Sequence, residues 1–390
     1  MREIELNGRT VKIWTDFVDD KAKEQIRNLT RLPFLYHHLA LMPDVHAGMG
    51  MPIGGVLACE EAVIPNAVGV DIGCGMCALP TSYDVEAIPK ELLRDVILPE
   101  IRERILIGRE VHEEPQDEGF FPQGFDLSRL TVVKRHYQAT LKQIGTLGGG
   151  NHFIELQADD EGKLWVMIHS GSRNLGLQVC NHYDRAAKEL NARWFSSIPA
   201  EYELAFLPVR SPEYRAYWEE MQYCIAFALA NRTLMMERIK GVLSEALSGI
   251  EFGEMLNKPH NYAAWEEHFG KYVIVHRKGA TLAEKGTLGI IPGSQGTASY
   301  IVEGKGNPEA FNSCSHGAGR RMTRTRARNE LSLEAEQRLL DEKGILHALS
   351  TQMDLDEAPS AYKDIEEVIA NQTDLVTVRT RLRPLAVLKG

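Results

Sequence analysis

Side chains that ligate metals or attack phosphorus recur in this chain beside tight, glycine-rich turns. The blocks are Asp71-Ile-Gly-Cys74, Gly148-Gly-Gly-Asn151-His152, His169-Ser-Gly-Ser-Arg173, His260-Asn-Tyr262 and His316-Gly-Ala-Gly-Arg320. Backbone this small lets a large polyanion approach closely. Asp71 and Cys74 can together hold a divalent metal, and a thiolate can bridge two. The plainer reading is a capping Asp and a buried Cys. With His152, His169 and His260 the set becomes five mixed N, O and S donors. That exceeds one tetrahedral ion and suits two close ions sharing Cys74. These donor types leave Mn²⁺, Fe²⁺, Co²⁺ and Zn²⁺ open, and phosphate oxygens in the site favour Mn²⁺.

His316 can serve as a ligand, a general base or a nucleophile; an imidazole attacking phosphorus gives a phosphoramidate. Arg320, Arg321, Arg324, Arg326 and Arg328 follow it closely. Such a run is ordinarily a solvated helix face, but directly after a candidate nucleophile it suits phosphate recognition. Pro292-Gly-Ser294-Gln-Gly296 can offer backbone N–H groups to phosphates. No Walker A or Rossmann fingerprint is present. Cys74 and Cys77 form a C-x-x-C with no second pair at zinc-ribbon spacing, and the flanking Gly73 and Gly75 suit a turn better than a redox helix.

Elements must hold these groups in place. Glu3 to Trp14 alternates around Asn7-Gly8 and predicts a β-hairpin over 3–14. Helices are expected over Asp20 to Leu29, capped by Asp19 or Asp20, and over Val85 to Val111, Leu130 to Gln143, Pro212 to Leu247, Leu331 to Asp341 and Tyr362 to Ala370. Leu41 to Met76 is rich in Gly and Pro and is expected to be irregular, ordered by what it binds. The acidic stretch 113–124 reads as an exposed loop. Leu164 to Ile168 reads as a buried strand delivering His169, Tyr272 to His276 as another, and Leu375 to Leu388 as a half-buried strand.

The chain has 390 residues and a formal net charge of −10, a sign that does not exclude nucleic acid when basic residues cluster. Met1-Arg-Glu-Ile-Glu-Leu is no signal segment, and no apolar stretch is long enough for a bilayer, which predicts a cytosolic protein without membrane contact. Six dispersed cysteines in a reducing compartment predict no disulfide framework. Motif residues from both ends imply one composite site, hence an α+β fold in a single compact domain of mixed sheets flanked by helices over 1–390.

Taken together the blocks resemble the RtcB family of RNA ligases, from about Leu41 to Lys389-Gly390. The resemblance rests on Met42-Pro-Asp-Val-His-Ala-Gly48, Val68-Gly-Val-Asp-Ile-Gly-Cys-Gly75, Gly148-Gly-Gly-Asn-His-Phe153, His169-Ser-Gly-Ser-Arg173, Arg277-Lys-Gly-Ala280, Ile291-Pro-Gly-Ser294 and His316-Gly-Ala-Gly-Arg320. It implies an RtcB-like fold and a GTP- and Mn²⁺-dependent ligase. Such an enzyme joins RNA 3′-phosphate or 2′,3′-cyclic phosphate ends to 5′-hydroxyl ends in RNA repair or tRNA splicing. By the same resemblance His316 takes GMP from GTP, and Asp71, Cys74, His152, His169 and His260 ligate two Mn²⁺ ions. Asn151, Glu155, Ser294, Ser299, Ala318, Gly319, Tyr362 and Lys389 match guanylate-pocket positions, with Tyr362 stacking on guanine and Lys389 at its edge. Arg173, Lys278, Arg320 and Arg324 would hold phosphates. Gln295 stands where the family commonly has methionine, a change expected to retune a loop contact. Ala47-Gly-Met-Gly-Met-Pro52 varies within a stretch that differs among members. His276 ranks behind His260 as a ligand.

Two rival readings are a Mn²⁺-dependent RNA phosphodiesterase that does not use His316 and a GTP- or RNA-binding accessory protein without turnover. A monomer is the default expectation, an archease-type activator is a candidate partner, and the Glu113 to Glu118 loop is a candidate for choosing among RNAs.

Overall fold

A computed structural model describes residues 1–390. Strands from distant parts of the chain interleave in two large sheets. The six-stranded sheet runs in the order Arg2–Leu6, Arg9–Ile13, Leu35–His46, Ile53–Cys59, Lys271–Lys278, Asn261–His268. Its pairings are antiparallel except the parallel one between Arg9–Ile13 and Leu35–His46. The seven-stranded sheet runs Leu256–Pro259, Gly75–Asp84, Lys163–Ser170, Phe153–Ala158, Val376–Lys389, Ser299–Gly304, Leu288–Ile291 and is antiparallel throughout. Ten α-helices flank the sheets. The architecture is α+β with mixed sheets, and it is consistent with the fold the resemblance implies.

Local chemistry explains several elements directly. Asn7 and Gly8 both take positive φ, 53° and 72°, the combination a two-residue hairpin turn needs. Asp19 caps the Asp20–Leu29 helix by accepting from the Ala22 N–H at 2.9 Å. Ser211 caps the Pro212–Ala246 helix, with Pro212 in its first turn. This 35-residue helix is wrapped on several sides. Tyr217, Met221, Cys224 and Phe227 pack with Leu175, Val179 and Tyr183 of the Arg173–Arg193 helix. Met235, Met236, Ile239 and Val242 pack with Leu79, Val166 and Ile168 of the seven-stranded sheet.

Several expectations need correction. Leu41 to Met76 is not irregular: it holds the end of one central strand, the whole of the next and the start of a third. Its glycines and prolines accommodate a register shift between Leu41 and His46 instead of breaking the sheet. The helix expected over Val85 to Val111 begins as a 3₁₀ turn, Val85–Ala87. It then runs with a π turn at Leu93–Ile97, just before Pro99, which has no N–H for the α ladder, and ends at Arg104. Tyr362 is extended, and the helix expected from it starts at Ile365. The 21-residue Arg173–Arg193 helix was not anticipated, because its start coincides with the His169-Ser-Gly-Ser-Arg173 turn. The acidic loop is anchored as well as exposed: Phe121 is buried, and Arg238 donates to Gln116 Oε1 at 2.6 Å. No helix is long and apolar enough to cross a membrane.

Candidate metal and nucleotide site

Sheet register brings the metal-type residues together. Met76 and Phe153 both pair with His169, and Gly75 pairs with Ser170. Cys74, His152 and His169 therefore lie at the same end of three adjacent strands. His260 sits where the chain leaves Pro259, paired to Gly75 in one sheet, and enters Asn261, paired to Lys278 in the other. Its N–H donates to the Cys74 carbonyl at 2.8 Å.

In the resulting cluster Cys74 Sγ lies 3.2 Å from His169 Nε2 and 3.5 Å from His152 Nε2, and His152 Nε2 lies 3.1 Å from Asp71 Oδ2. The ring centroids of His169 and His260 are 5.1 Å apart. His152 and His169 hydrogen-bond through Nδ1 to the carbonyls of Leu147 and Asn151, at 3.1 and 3.0 Å. For His169 this bond fixes the tautomer that turns an Nε2 lone pair inward, whereas His152 Nε2 faces the Asp71 carboxylate. Burial, with the neighbouring imidazoles, holds His169 and His260 well below the ordinary imidazole range, so both are neutral, as metal ligands must be. Burial and the adjacent Asp71 push the Cys74 thiol well up. Burial also raises the Asp71 carboxyl, but its hydrogen bond and charge interaction with His152 outweigh that and leave it low. Asp71 Oδ1 and His260 Nδ1 are buried without a hydrogen-bond partner. Orphaned atoms of this kind, beside a thiol and two inward-facing Nε2 atoms, fit a divalent metal. Gly171 makes room, since a Cβ there would lie 2.3 Å from Asp71 Oδ1.

His316 stands next to this cluster, its ring centroid 4.7 Å from that of His260. Asp44 holds it, with Oδ2 accepting from the His316 backbone N–H at 3.0 Å and from Nδ1 at 2.6 Å. With Nδ1–H so engaged, Nε2 keeps its lone pair. Asp44 is fully buried. Gly319, at φ +72°, lets the turn after His316 lie against it; a Cβ would fall 2.2 Å from the Asp44 carbonyl oxygen.

A cavity of about 520 Å³ opens over His316 and His169. Of the expected pocket residues, Asn151, Glu155, Ser294, Ala318, Gly319, Tyr362, Lys389, Arg320 and Arg324 line it. Glu155 and Lys389 come from neighbouring strands, where Glu155 pairs with Val387 and Phe153 with Lys389. Burial pushes the Glu155 carboxyl up to about 8, against a hydrogen bond from Gln157 and the charge of Lys389. Glu357, which the motif strings did not contain, organises the cationic side. It pairs with Arg320 at 3.2 Å, Arg324 at 3.0 Å and Lys389 at 3.6 Å, and accepts from the Tyr362 hydroxyl. The Arg320 guanidinium lies 5.2 Å from the Tyr362 ring centroid. Gln295 donates to the Glu357 carbonyl at 2.8 Å, so the atypical residue ties the 292–296 loop to this hub.

Three expected phosphate or pocket residues are placed elsewhere. Lys278 does not line the cavity. Its ammonium is spent on the carbonyls of Met49, Met51 and Asn66, and burial lowers it to about 8. Ser299 is fully buried beneath the 292–296 loop, accepting from Gly293 N–H at 3.2 Å. Arg173, at a strained φ of +57°, donates to Thr146 Oγ1 at 3.2 Å and lies beside His152 Nδ1 at 3.4 Å, so it borders the metal cluster. His276 spends Nε2 on the Ile64 N–H and Nδ1 on the Leu57 carbonyl, outside the cluster.

Two further residues missed from sequence brace the site from the long helix. Asn231 donates to the carbonyls of Thr146 and Gly171 and accepts from the Gly145 N–H. Arg232, fully buried, donates to the carbonyls of Gly73 at 3.0 Å and Ser170 at 2.8 Å. Adjacent residues thus tie together the loops that carry Cys74, His152 and His169. The available signal was a polar Asn231-Arg232 pair directly after the apolar run Cys224–Ala230.

Comparison with known proteins places the whole chain in one family. The family model described as tRNA-splicing ligase RtcB matches residues 25–119 and 110–390. The RNA-splicing ligase RtcB of Escherichia coli strain K12 is 37% identical over 404 residues, 97% of this chain and 97% of that protein. The RNA-splicing ligase RtcB of Mycobacterium tuberculosis is 34% identical, covering 94% of this chain and 100% of its own length. The tRNA-splicing ligase RtcB of Thermococcus kodakarensis is 32% identical over 95% of this chain and 91% of its own. Matched nearly end to end by the family model and by full-length relatives, the chain belongs to the RtcB family of RNA-splicing ligases.

Proposed function

We propose that this ligase joins an RNA 3′-phosphate, or a 2′,3′-cyclic phosphate once opened by water, to a 5′-hydroxyl, using GTP. The observation that carries the reading is His316: a buried Asp44 orients it, and it stands between a Cys/His/Asp donor cluster and a cavity with guanine-compatible groups. Asp71, Cys74, His152, His169 and His260 would hold two Mn²⁺ ions, which would supply charge neutralisation for the triphosphate.

The protein groups then divide the work. With Nδ1–H held by Asp44, His316 Nε2 attacks the α-phosphorus of GTP; the bond to the β-phosphate oxygen breaks and pyrophosphate leaves. The RNA 3′-phosphate attacks the same phosphorus, releasing His316 and forming RNA(3′)pp(5′)G. The RNA 5′-hydroxyl next attacks the 3′-phosphate and GMP departs. Glu155, as a carboxylate, matches the N1–H and 2-amino donors of guanine; Tyr362 offers a ring face, Lys389 reaches the base edge, and Arg320 and Arg324 face phosphates. The RNA partner follows from this chemistry, and a cytoplasmic monomer suits it.

The test is incubation with GTP radiolabelled at the α-phosphorus and Mn²⁺, wild type beside His316→Ala, followed by denaturing electrophoresis. An acid-labile label on the wild type that is absent from His316→Ala is the expected result. No label on metal-loaded wild type would favour the phosphodiesterase or the non-catalytic binder.

A further inference from the structure

One wall of the cavity lies outside both the motif strings and the family match. Phe17, Asp19 and Lys21 line it, whereas the family model begins at residue 25. Phe17 is 53% exposed, an aromatic ring turned outward at the mouth of a polar site. Its pedestal is fixed. The Phe17 N–H donates to Thr15 Oγ1 at 3.2 Å, and Asp19 caps the next helix through Oδ1 while Oδ2 accepts from the Ala47 N–H at 2.9 Å. Ala47 directly follows the strand that carries Asp44 and His46. Lys363 makes a second link: its ammonium lies 5.7 Å from the Phe17 ring centroid and donates to the carbonyls of Pro43 and Val45. The ring is therefore held in a set relation to the strand that orients His316.

Lys21 and Arg321 are exposed on the same cavity, while the nearby Asp19 carboxylate is taken up by the Ala22 and Ala47 N–H groups and Asp20 pairs with Lys23. An aromatic face among cations is the surface that single-stranded nucleic acid uses, stacking a base while its backbone meets the charges. We propose that Phe17 is the stacking platform for the base of the 3′-terminal nucleotide of the RNA, with Lys21 and Arg321 meeting the backbone phosphate on its 5′ side. This rests on the ligase reading of the site: the nucleotide whose 3′-phosphate reaches His316-bound GMP has its base within one nucleotide of that atom. The base of GTP has its own place at Tyr362 and Glu155.

The experiment compares full-length wild type, Phe17→Ala and Phe17→Trp with GTP, Mn²⁺, a 5′-hydroxyl RNA and short 3′-phosphate RNAs, intact or abasic at the last nucleotide. Adduct formation from GTP alone reports the nucleotide half of the reaction, and KM for the 3′-phosphate RNA reports the platform. Phe17→Ala is expected to raise that KM about tenfold or more, the scale of one lost base stack, with kcat far less affected and Phe17→Trp restoring it. The abasic end should raise KM as much in the wild type and add nothing in Phe17→Ala. An unchanged KM in Phe17→Ala, independent multiplication of the two losses, or coupling to an abasic 5′-terminal nucleotide instead would each overturn the assignment. Absence of adduct in the wild type strikes the ligase reading, and filter retention of the same RNAs on the same variants then decides the platform.

Discussion

Asp44 and Glu155 show how single buried carboxyls can set what a neighbouring group does. Asp44 holds the proton of His316 on Nδ1. Asp44→Asn keeps the size but loses the anionic acceptor, and adduct formation is expected to slow by about 10²- to 10⁴-fold, as when a tautomer-setting acid is neutralised. Single-turnover labelling measures that rate; a rate near wild type would remove the positioning role. Glu155 carries a proton at neutral pH because burial pushes its carboxyl up to about 8. In the proposed guanine pocket Glu155 accepts as the carboxylate, so on that reading GTP binding near pH 7 should release close to one proton. Affinity should rise with pH through 7 to 8 and level off above. Calorimetry in buffers of different ionisation enthalpy reads the proton count, and Glu155→Gln should bring this contribution to zero.

At the scale of elements, the long Pro212–Ala246 helix acts as a strut. Asn231 and Arg232 reach the backbone at 73, 145–146 and 170–171, segments that adjoin Cys74, His152 and His169. Removing the guanidinium leaves two buried carbonyls without a donor and frees the loops to shift. For the proposed metal site, Arg232→Met is therefore expected to weaken Mn²⁺ binding by about 10- to 100-fold, the usual effect of losing support around metal ligands. Metal titration of the purified variant gives the affinity, and Arg232→Lys should recover part of it. Wild-type affinity in Arg232→Met would show that sheet register alone holds the ligands.

Across the whole molecule, the six-stranded sheet and its flanks bury neutral histidines that make stability pH-dependent. Burial, with the charge of Lys12 and neighbouring histidines, takes His38 down to about 3; burial takes His276 down to about 4. Both are depressed in the folded state, so the unfolded chain binds more protons below about pH 6.5. Stability is then flat above that pH and lost as pH falls toward 4. Each residue should cost on the order of 2 kcal/mol by pH 5. Urea denaturation at pH 7 and pH 5 tests this, and equal midpoints would exclude it. His276 also shows why chemistry-bearing residues cannot be sorted by type alone: it resembles a ligand in sequence, yet both ring nitrogens serve the backbone of the sheet core.

The sequence by itself determined whatever is carried by local strings. The hairpin at Asn7-Gly8, the capped helices starting at Asp20 and Pro212, the strand that carries His169 near its end and the family-bearing glycine turns all depend on neighbours within a few residues. Tertiary structure decided which of those side chains face one another. Asp44 reaches His316, Glu357 gathers Arg320, Arg324 and Lys389, and Asn231 and Arg232 hold three loops, all through contacts between distant segments. Lys278 sits in a matching string and Ser299 matches a pocket position, but the fold turns both into the protein. Residue identity survives in a motif, whereas side-chain direction is set by sheet pairing and by the need of buried polar groups for partners.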